Sequence, residues 1–147
     1  MGEPKVRNVG YRALADFRYE IRRFLNFSER AARAAGIEPQ QHQALLAIKG
    51  LPPACKATVG VLAEQMQIRH HSAGELSSRL ARKGWMRRSR SRRDGREVLL
   101  ELTRRGENLL AKLSLSHREE LRTAGPRLIA ALQAAIAHHK PTRHGTR

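Results

Sequence analysis

Between Val9 and Ala35 the apolar residues Leu14, Phe17, Ile21, Phe24, Ala31 and Ala35, with the small Ser28 keeping the series, recur in steps of three or four. That period predicts one long amphipathic helix, and Gly36 is placed to end it. Pro39 suits the first turn of a second helix running to Gly50, with Leu45, Leu46 and Ile48 for burial. Leu51-Pro52-Pro53 breaks the chain there. Thr58 is suited to cap a short third helix, Val59 to Gln67, which carries Val61, Leu62, Ala63 and Met66. After Ile68-Arg69 a fourth helix runs from His70 to Lys83 with Ala73, Leu76 and Leu80 on one stripe, and Gly84 stops it.

The period then changes from 3.6 to 2. Trp85, Met86 and the residues to Arg90 predict one strand, and Val98 to Leu102 its return partner, with Asp94-Gly95 as the turn between them. Thr103 opens a further helix through Leu109, Leu110, Leu113 and Leu121 to about Thr123. Gly125-Pro126 is expected to separate it from a last helix, Arg127 to His138, with a basic tail beyond. The fold class is therefore mainly α with a small β-hairpin wing.

Composition removes several classes of function. The chain has 147 residues, enough for one domain with a core. A single cysteine, Cys55, excludes an internal disulfide framework and a cysteine-cluster zinc site, and points to a reducing, cytoplasmic setting. The apolar runs are far shorter than the roughly 20 residues that cross a bilayer, so no membrane role is expected. The start, Met1-Gly2-Glu3-Pro4-Lys5-Val6, has no apolar signal core. There is no Gly-rich phosphate loop, nucleophile elbow or metal-binding helix motif, which leaves no foothold for an enzyme and no cofactor to expect.

Charge changes the picture most. With 29 Lys and Arg against 13 Asp and Glu the formal net charge is +16, which calls for an anionic partner. Between Arg82 and Arg96 stand eight basic residues and one acid, Asp94, on the predicted hairpin and its approach. Such density fits phosphates, where each neutralised contact releases counterions. A solvated edge strand would explain an isolated charge run equally well, but not one beside two short helices in helix-turn-helix order.

That order is carried by particular residues. Val61-Leu62-Ala63-Glu64-Gln65-Met66 precede the turn, and Ser72 to Leu80 follow it. Gly84-Trp85-Met86-Arg87-Arg88 leads into the hairpin, and Asp94-Gly95-Arg96 is followed by Leu102-Thr103-Arg104-Arg105-Gly106. In this arrangement the stretch from Thr58 to Gly106 resembles the MarR family of bacterial transcriptional regulators, and the flanking helices match that family's frame over nearly the whole chain. The resemblance implies a single domain over residues 1–147, a winged helix-turn-helix in a helical dimerisation frame. Its DNA-binding lobe would span 39–103, its dimerisation helices 9–35 and 104–139, and a basic tail 140–147. The implied function is a sequence-specific, effector-released repressor, binding double-stranded DNA as a homodimer on a pseudo-palindromic operator.

The fourth helix should present His70, His71, Ser72, Glu75, Ser78 and Arg79 away from its apolar stripe, with its N-terminal end near base edges. The adjacent histidines admit base or phosphate contact, exposed filler, or metal and pH sensing. Neighbours on a helix point about 100° apart, which disfavours a shared metal. Arg96, near a narrow hairpin tip, suits a minor groove, and Arg88, Arg92 and Arg93 suit phosphates. The resemblance implies that Asp94 pairs with and orients the wing arginine, while Asp-Gly also fits a plain turn. Arg69 stands where a capping Ser or Thr is usual.

The Ala/Leu-rich segment from Leu128 to Ile136 is more apolar than a solvated end should be, which fits burial in a homodimer. The resemblance implies a scaffold of the kind that answers a small-molecule effector or an oxidant. Cys55, beside Lys56, makes oxidant sensing an alternative, although redox-sensing relatives usually carry the reactive cysteine near the first helix. A non-specific architectural nucleic-acid-binding protein is the other alternative, and it would account for the charge alone. The scattered histidines, His42 and His117 among them, show no metal-ligand spacing.

Overall fold

Local chemistry starts each helix where the sequence places it. In the computed structural model, which describes residues 9–137, α1 spans Tyr11–Ala34, α2 Pro39–Lys49, α3 Val59–Met66, α4 His70–Arg82 and α5 Arg104–Ala137; β1 is Met86–Arg90 and β2 Val98–Leu102. The tail at 140–147 and the expected helical positions 138 and 139 lie outside the described residues. Pro39 opens α2, and the Glu38 N–H donates to Gln41 Oε1 at 3.2 Å. Thr58 caps α3 by accepting from the Val61 N–H at 3.1 Å. Among the described residues no helix is long and apolar enough to cross a membrane.

The chain divides into two compact units, one from Glu29 to Ser116 and one formed by the residues up to Ser28 with those from His117 onward. The expected lobe 39–103 lies inside the first. Its core takes Ala44, Leu45 and Ile48 from α2, Leu62 from α3, Ala73, Leu76 and Leu80 from α4, Met86, Leu100 and Leu102 from the hairpin, and Leu110 and Leu113 from α5. Leu46, expected to be buried, is instead 44% exposed, and His42 is buried. The helical period explains the exchange: His42, Leu45 and Ile48 share a stripe, and Leu46 falls about 100° off it.

The hairpin is antiparallel, pairing Met86 with Leu102, Arg88 with Leu100 and Arg90 with Val98. A further bridge joins Thr58 to Leu99, and the Leu100 N–H donates to the Ala57 carbonyl at 2.9 Å, so β2 is paired on both sides. At the hairpin base, Gly84 takes φ +77°, a left-handed turn that favours glycine, and releases the chain from α4 into β1. Thr103 then ties both strand ends together. Its N–H donates to the Trp85 carbonyl at 3.1 Å, its hydroxyl donates to the Gly84 carbonyl at 2.6 Å, and its Oγ1 accepts the Gly106 N–H at 3.1 Å as the cap of α5.

In the second unit, His117 Nε2 and Ser28 Oγ are hydrogen-bonded at 2.7 Å, with the rings of Phe24 and Phe27 edge-on to the imidazole at 6.1 and 5.4 Å. Leu14, read as part of a buried stripe, is 46% exposed here, and Ala35 is exposed just beyond α1. The expected break at Gly125-Pro126 does not occur: α5 runs through Pro126. Proline removes one i to i−4 bond, but both Pro126 and Arg122, whose carbonyl loses its donor, are exposed, so water is at hand. The Ala- and Leu-rich flank has the helix propensity to carry the chain on.

Gly106 is hemmed in. A Cβ built there lies 2.0 Å from the Trp85 carbonyl oxygen, a backbone atom. Gly106→Ala should therefore lower the unfolding free energy by about 3 kcal/mol, measured by denaturant titration; a change below about 0.5 kcal/mol would show that the joint yields freely. A second test concerns Glu107, which accepts from Lys49 Nζ at 2.5 Å. That hydrogen bond and charge hold its carboxyl below the usual glutamate range. The pair's contribution is therefore present above the ordinary glutamate pKa and fades as pH falls through the lowered one. An NMR titration should place the Glu107 midpoint below that of an exposed glutamate, and Lys49→Met should raise it.

Candidate nucleic-acid interface

The recognition-type helix α4 begins after a tight turn made by Gln67, whose φ of 54° is left-handed and whose side-chain amide donates to the Glu64 carbonyl at 2.8 Å. Arg69 is the N-cap residue in extended backbone and offers no side-chain cap, so the helix starts at His70. Ala73, Leu76 and Leu80 face the core as the period requires, joined by Ser77, whose hydroxyl donates to the Gly74 carbonyl at 2.9 Å. His70, His71, Ser72, Glu75 and Arg79 are exposed, and Ser78 is half-buried.

Strand alternation sorts the hairpin's charges. Arg87 lies on the face that meets Glu101, at 3.6 Å. Arg88 lies on the face of Met86 and turns its guanidinium onto α4, donating to Ser78 Oγ at 2.5 Å. An open concavity of about 490 Å³ results, lined by His70, His71, Glu75, Arg79, Arg82 and Arg88 together with Gly74 and Ser78. A second, of about 260 Å³, brings His70, Arg88 and Arg96 together at the base of the wing. Ser72 borders neither.

The wing loop is held by backbone bonds. Ser91 N–H donates to the Glu97 carbonyl at 2.9 Å, and the Glu97 N–H to the Asp94 carbonyl at 3.0 Å. Ser91 is buried, and its Oγ accepts from the N–H groups of Arg93 and Asp94 at 3.3 and 3.4 Å. Asp94 does not pair with the guanidinium of Arg96, as the resemblance implied. Its Oδ1 accepts the Arg96 backbone N–H at 3.0 Å, the short-range bond of an Asx turn, and so positions Arg96 through the main chain. Among the described residues Arg79, Arg82, Arg92, Arg93 and Arg96 make no ion pair, while Lys56 binds Glu97 at 2.8 Å.

Cys55 is exposed in the loop between α2 and α3, and the neighbouring ammonium of Lys56 lies on Glu97 rather than on the thiol. His71 Nε2 is 3.4 Å from Glu75 Oε1. No group of three or more metal-ligating side chains occurs among the described residues.

The model of the MarR family matches residues 35–97, which take in α2, α3, α4, β1 and the wing loop. This segment is therefore similar to the winged helix of the MarR family. No curated protein sequence matches it. A solved MarR family transcription regulator shares 20% identity and a TM-score of 0.72, over 86% of this chain and 85% of that one. A mutant of S. aureus MepR bound to an oligodeoxyribonucleotide shares 17% and 0.64, over 84% and 95%. The PcaV transcriptional regulator from Streptomyces coelicolor, in complex with its natural ligand, shares 24% and 0.50, over 67% and 73%. At these identities the likeness establishes the MarR-type fold.

Within that fold the structure gives particular places to residues that the sequence reading either counted only as part of a charge run, as with Arg82, or did not single out for the site. Arg82 joins the concavity, one helical turn beyond Arg79. Ser91 and the Lys56–Glu97 pair brace the wing. Ser91→Ala should cost about 1 kcal/mol of stability and raise hydrogen exchange at the Arg93 and Asp94 amides. Unchanged protection at both amides would remove Ser91 from the wing's support.

Proposed function

We propose that this protein is a sequence-specific DNA-binding transcription regulator, a repressor released by a small effector, acting as a homodimer on a pseudo-palindromic operator. The observation that carries this reading is the set of exposed arginines on α4 and the wing, Arg79, Arg82, Arg88, Arg92, Arg93 and Arg96, none of which has a carboxylate partner among the described residues. On this reading α4 enters a major groove, Arg96 reaches the adjoining minor groove, and Arg92 and Arg93 lie on phosphates. Asp94 serves by fixing the backbone from which Arg96 projects.

Three further facts support it. The MepR mutant of the same fold is bound to an oligodeoxyribonucleotide. Ile129, Leu132 and Ile136 on the last turns of α5 are 58%, 42% and 64% exposed, an apolar row that a second copy would cover. PcaV is in complex with its natural ligand, which supports an effector for this chain.

The experiment is binding to the DNA upstream of the protein's own coding region, with a scrambled duplex as control and salt varied. A specific site bound by a dimer is expected, with log K falling steeply against log salt concentration. Arg96→Ala should weaken that binding by about 1–3 kcal/mol per half-site and leave the dimer intact in sedimentation. Equal affinity for both duplexes would instead favour a non-specific architectural protein.

A further inference from the structure

Glu75 is the one acid in the concavity lined by His70, His71, Arg79, Arg82 and Arg88. Its side chain is 58% exposed, and it lies against His71, one turn earlier on the same helix. The other acids nearby are occupied elsewhere: Glu97 by Lys56, Glu101 by Arg87, and Asp94 by the Arg96 N–H. A carboxylate aimed at a phosphate-binding surface repels the phosphates that its neighbours attract, so it lowers affinity for every duplex alike. On bound DNA, a hydrogen-bond donor on a base offsets that cost. In the major groove the donors are the exocyclic amino groups of cytosine (N4) and adenine (N6), whereas guanine and thymine present acceptors there.

We propose that Glu75 is a specificity-determining residue of this interface, accepting a hydrogen bond from an exocyclic base amino group in the major groove and rejecting guanine and thymine at that step. The inference rests on the DNA-binding reading above. His71, at 3.4 Å, acts as a positioning residue that holds the carboxylate over the helix face. Arg79, four residues on, faces the same concavity with the opposite preference, since a guanidinium pairs with guanine O6 and N7. The two side chains thus read complementary base edges from one helix face.

The test uses the full chain, its footprinted operator, a scrambled duplex, and operators substituted at each base pair in turn, with affinities measured at one salt concentration. Glu75→Ala should bind the scrambled duplex about threefold more tightly, because one repulsive charge is gone. It should also lower the operator-to-scrambled ratio by about fivefold or more, with preference lost at a single base pair of each half-site. Glu75→Gln separates the two sources of the amino group: an amide pairs with adenine N6 and N7, so a cytosine preference should move to adenine and an adenine preference should persist. Retained binding to scrambled DNA shows that each variant is folded. A specific wild type whose ratio and base profile change by less than twofold in both variants overturns the role of Glu75 alone, while a wild type without specificity overturns the regulator reading and this one with it.

Discussion

The geometry of the winged helix depends on one joint, where the carbonyls of Gly84 and Trp85 meet Thr103 and Gly106. The end of a helix leaves carbonyls without donors, and a hairpin base leaves two chain ends that must be held at a fixed spacing. Thr103 answers both needs, donating to Gly84 and Trp85 while capping α5 through Gly106. Gly106 admits this contact because no side chain stands between it and Trp85. Each hydrogen bond is worth only about 1 kcal/mol net, but together they set the angle at which β1 leaves α4. Arg88 can reach Ser78 only from a strand so placed.

From that joint outward, carboxylates are spent on structure and arginines are left for the surface. Lys49 and Lys56 are neutralised by Glu107 and Glu97, and Arg87 by Glu101 on the opposite face of the hairpin. Asp94 and Ser91 serve the wing backbone. Among the described residues Arg79, Arg82, Arg92, Arg93 and Arg96 are thereby left without an ion pair, and they repel one another in the absence of an external anion. The net charge of +16 gives the molecule a general attraction to anions. This partition of ion pairs gives the attraction a direction.

Much of this was legible in the residues, and the exceptions have physical causes. The change of period from 3.6 to 2 at Trp85, the Asp94-Gly95 turn and the Leu102-Thr103-x-x-Gly106 run located the hairpin, because each is a local signal. Leu46 was misplaced because the unbroken apolar run from Ala44 to Ile48 leaves the stripe ambiguous until His42 is seen to be part of it. Gly125-Pro126 looked like a boundary because local breakers are read without their surroundings, whereas a solvated helix with strong formers on both sides tolerates the lost bond. The bond from Asp94 to the Arg96 main chain could not be told from a side-chain pair, since both link the same two residues. Lys56 and Glu97 are 41 positions apart, and no local pattern announces their meeting.

The same contrast bears on how α4 begins. The helices beside it have their first turns satisfied from within: α2 by Gln41 and Glu38, α3 by Thr58, and α5 by Thr103. Helix α4 has Arg69 at its N-cap and no side-chain acceptor, although a capping Ser or Thr there would stabilise it by about 1 kcal/mol. Its first residues, His70 and His71, are exposed and border the basic concavity, so the uncapped turn lies at the edge of that surface. On the DNA-binding reading a phosphate oxygen is the missing acceptor, and the positive end of the helix favours it further. A local rule broken here and kept at three neighbouring helices is what a binding surface requires, since a protein cap would occupy the place of the ligand.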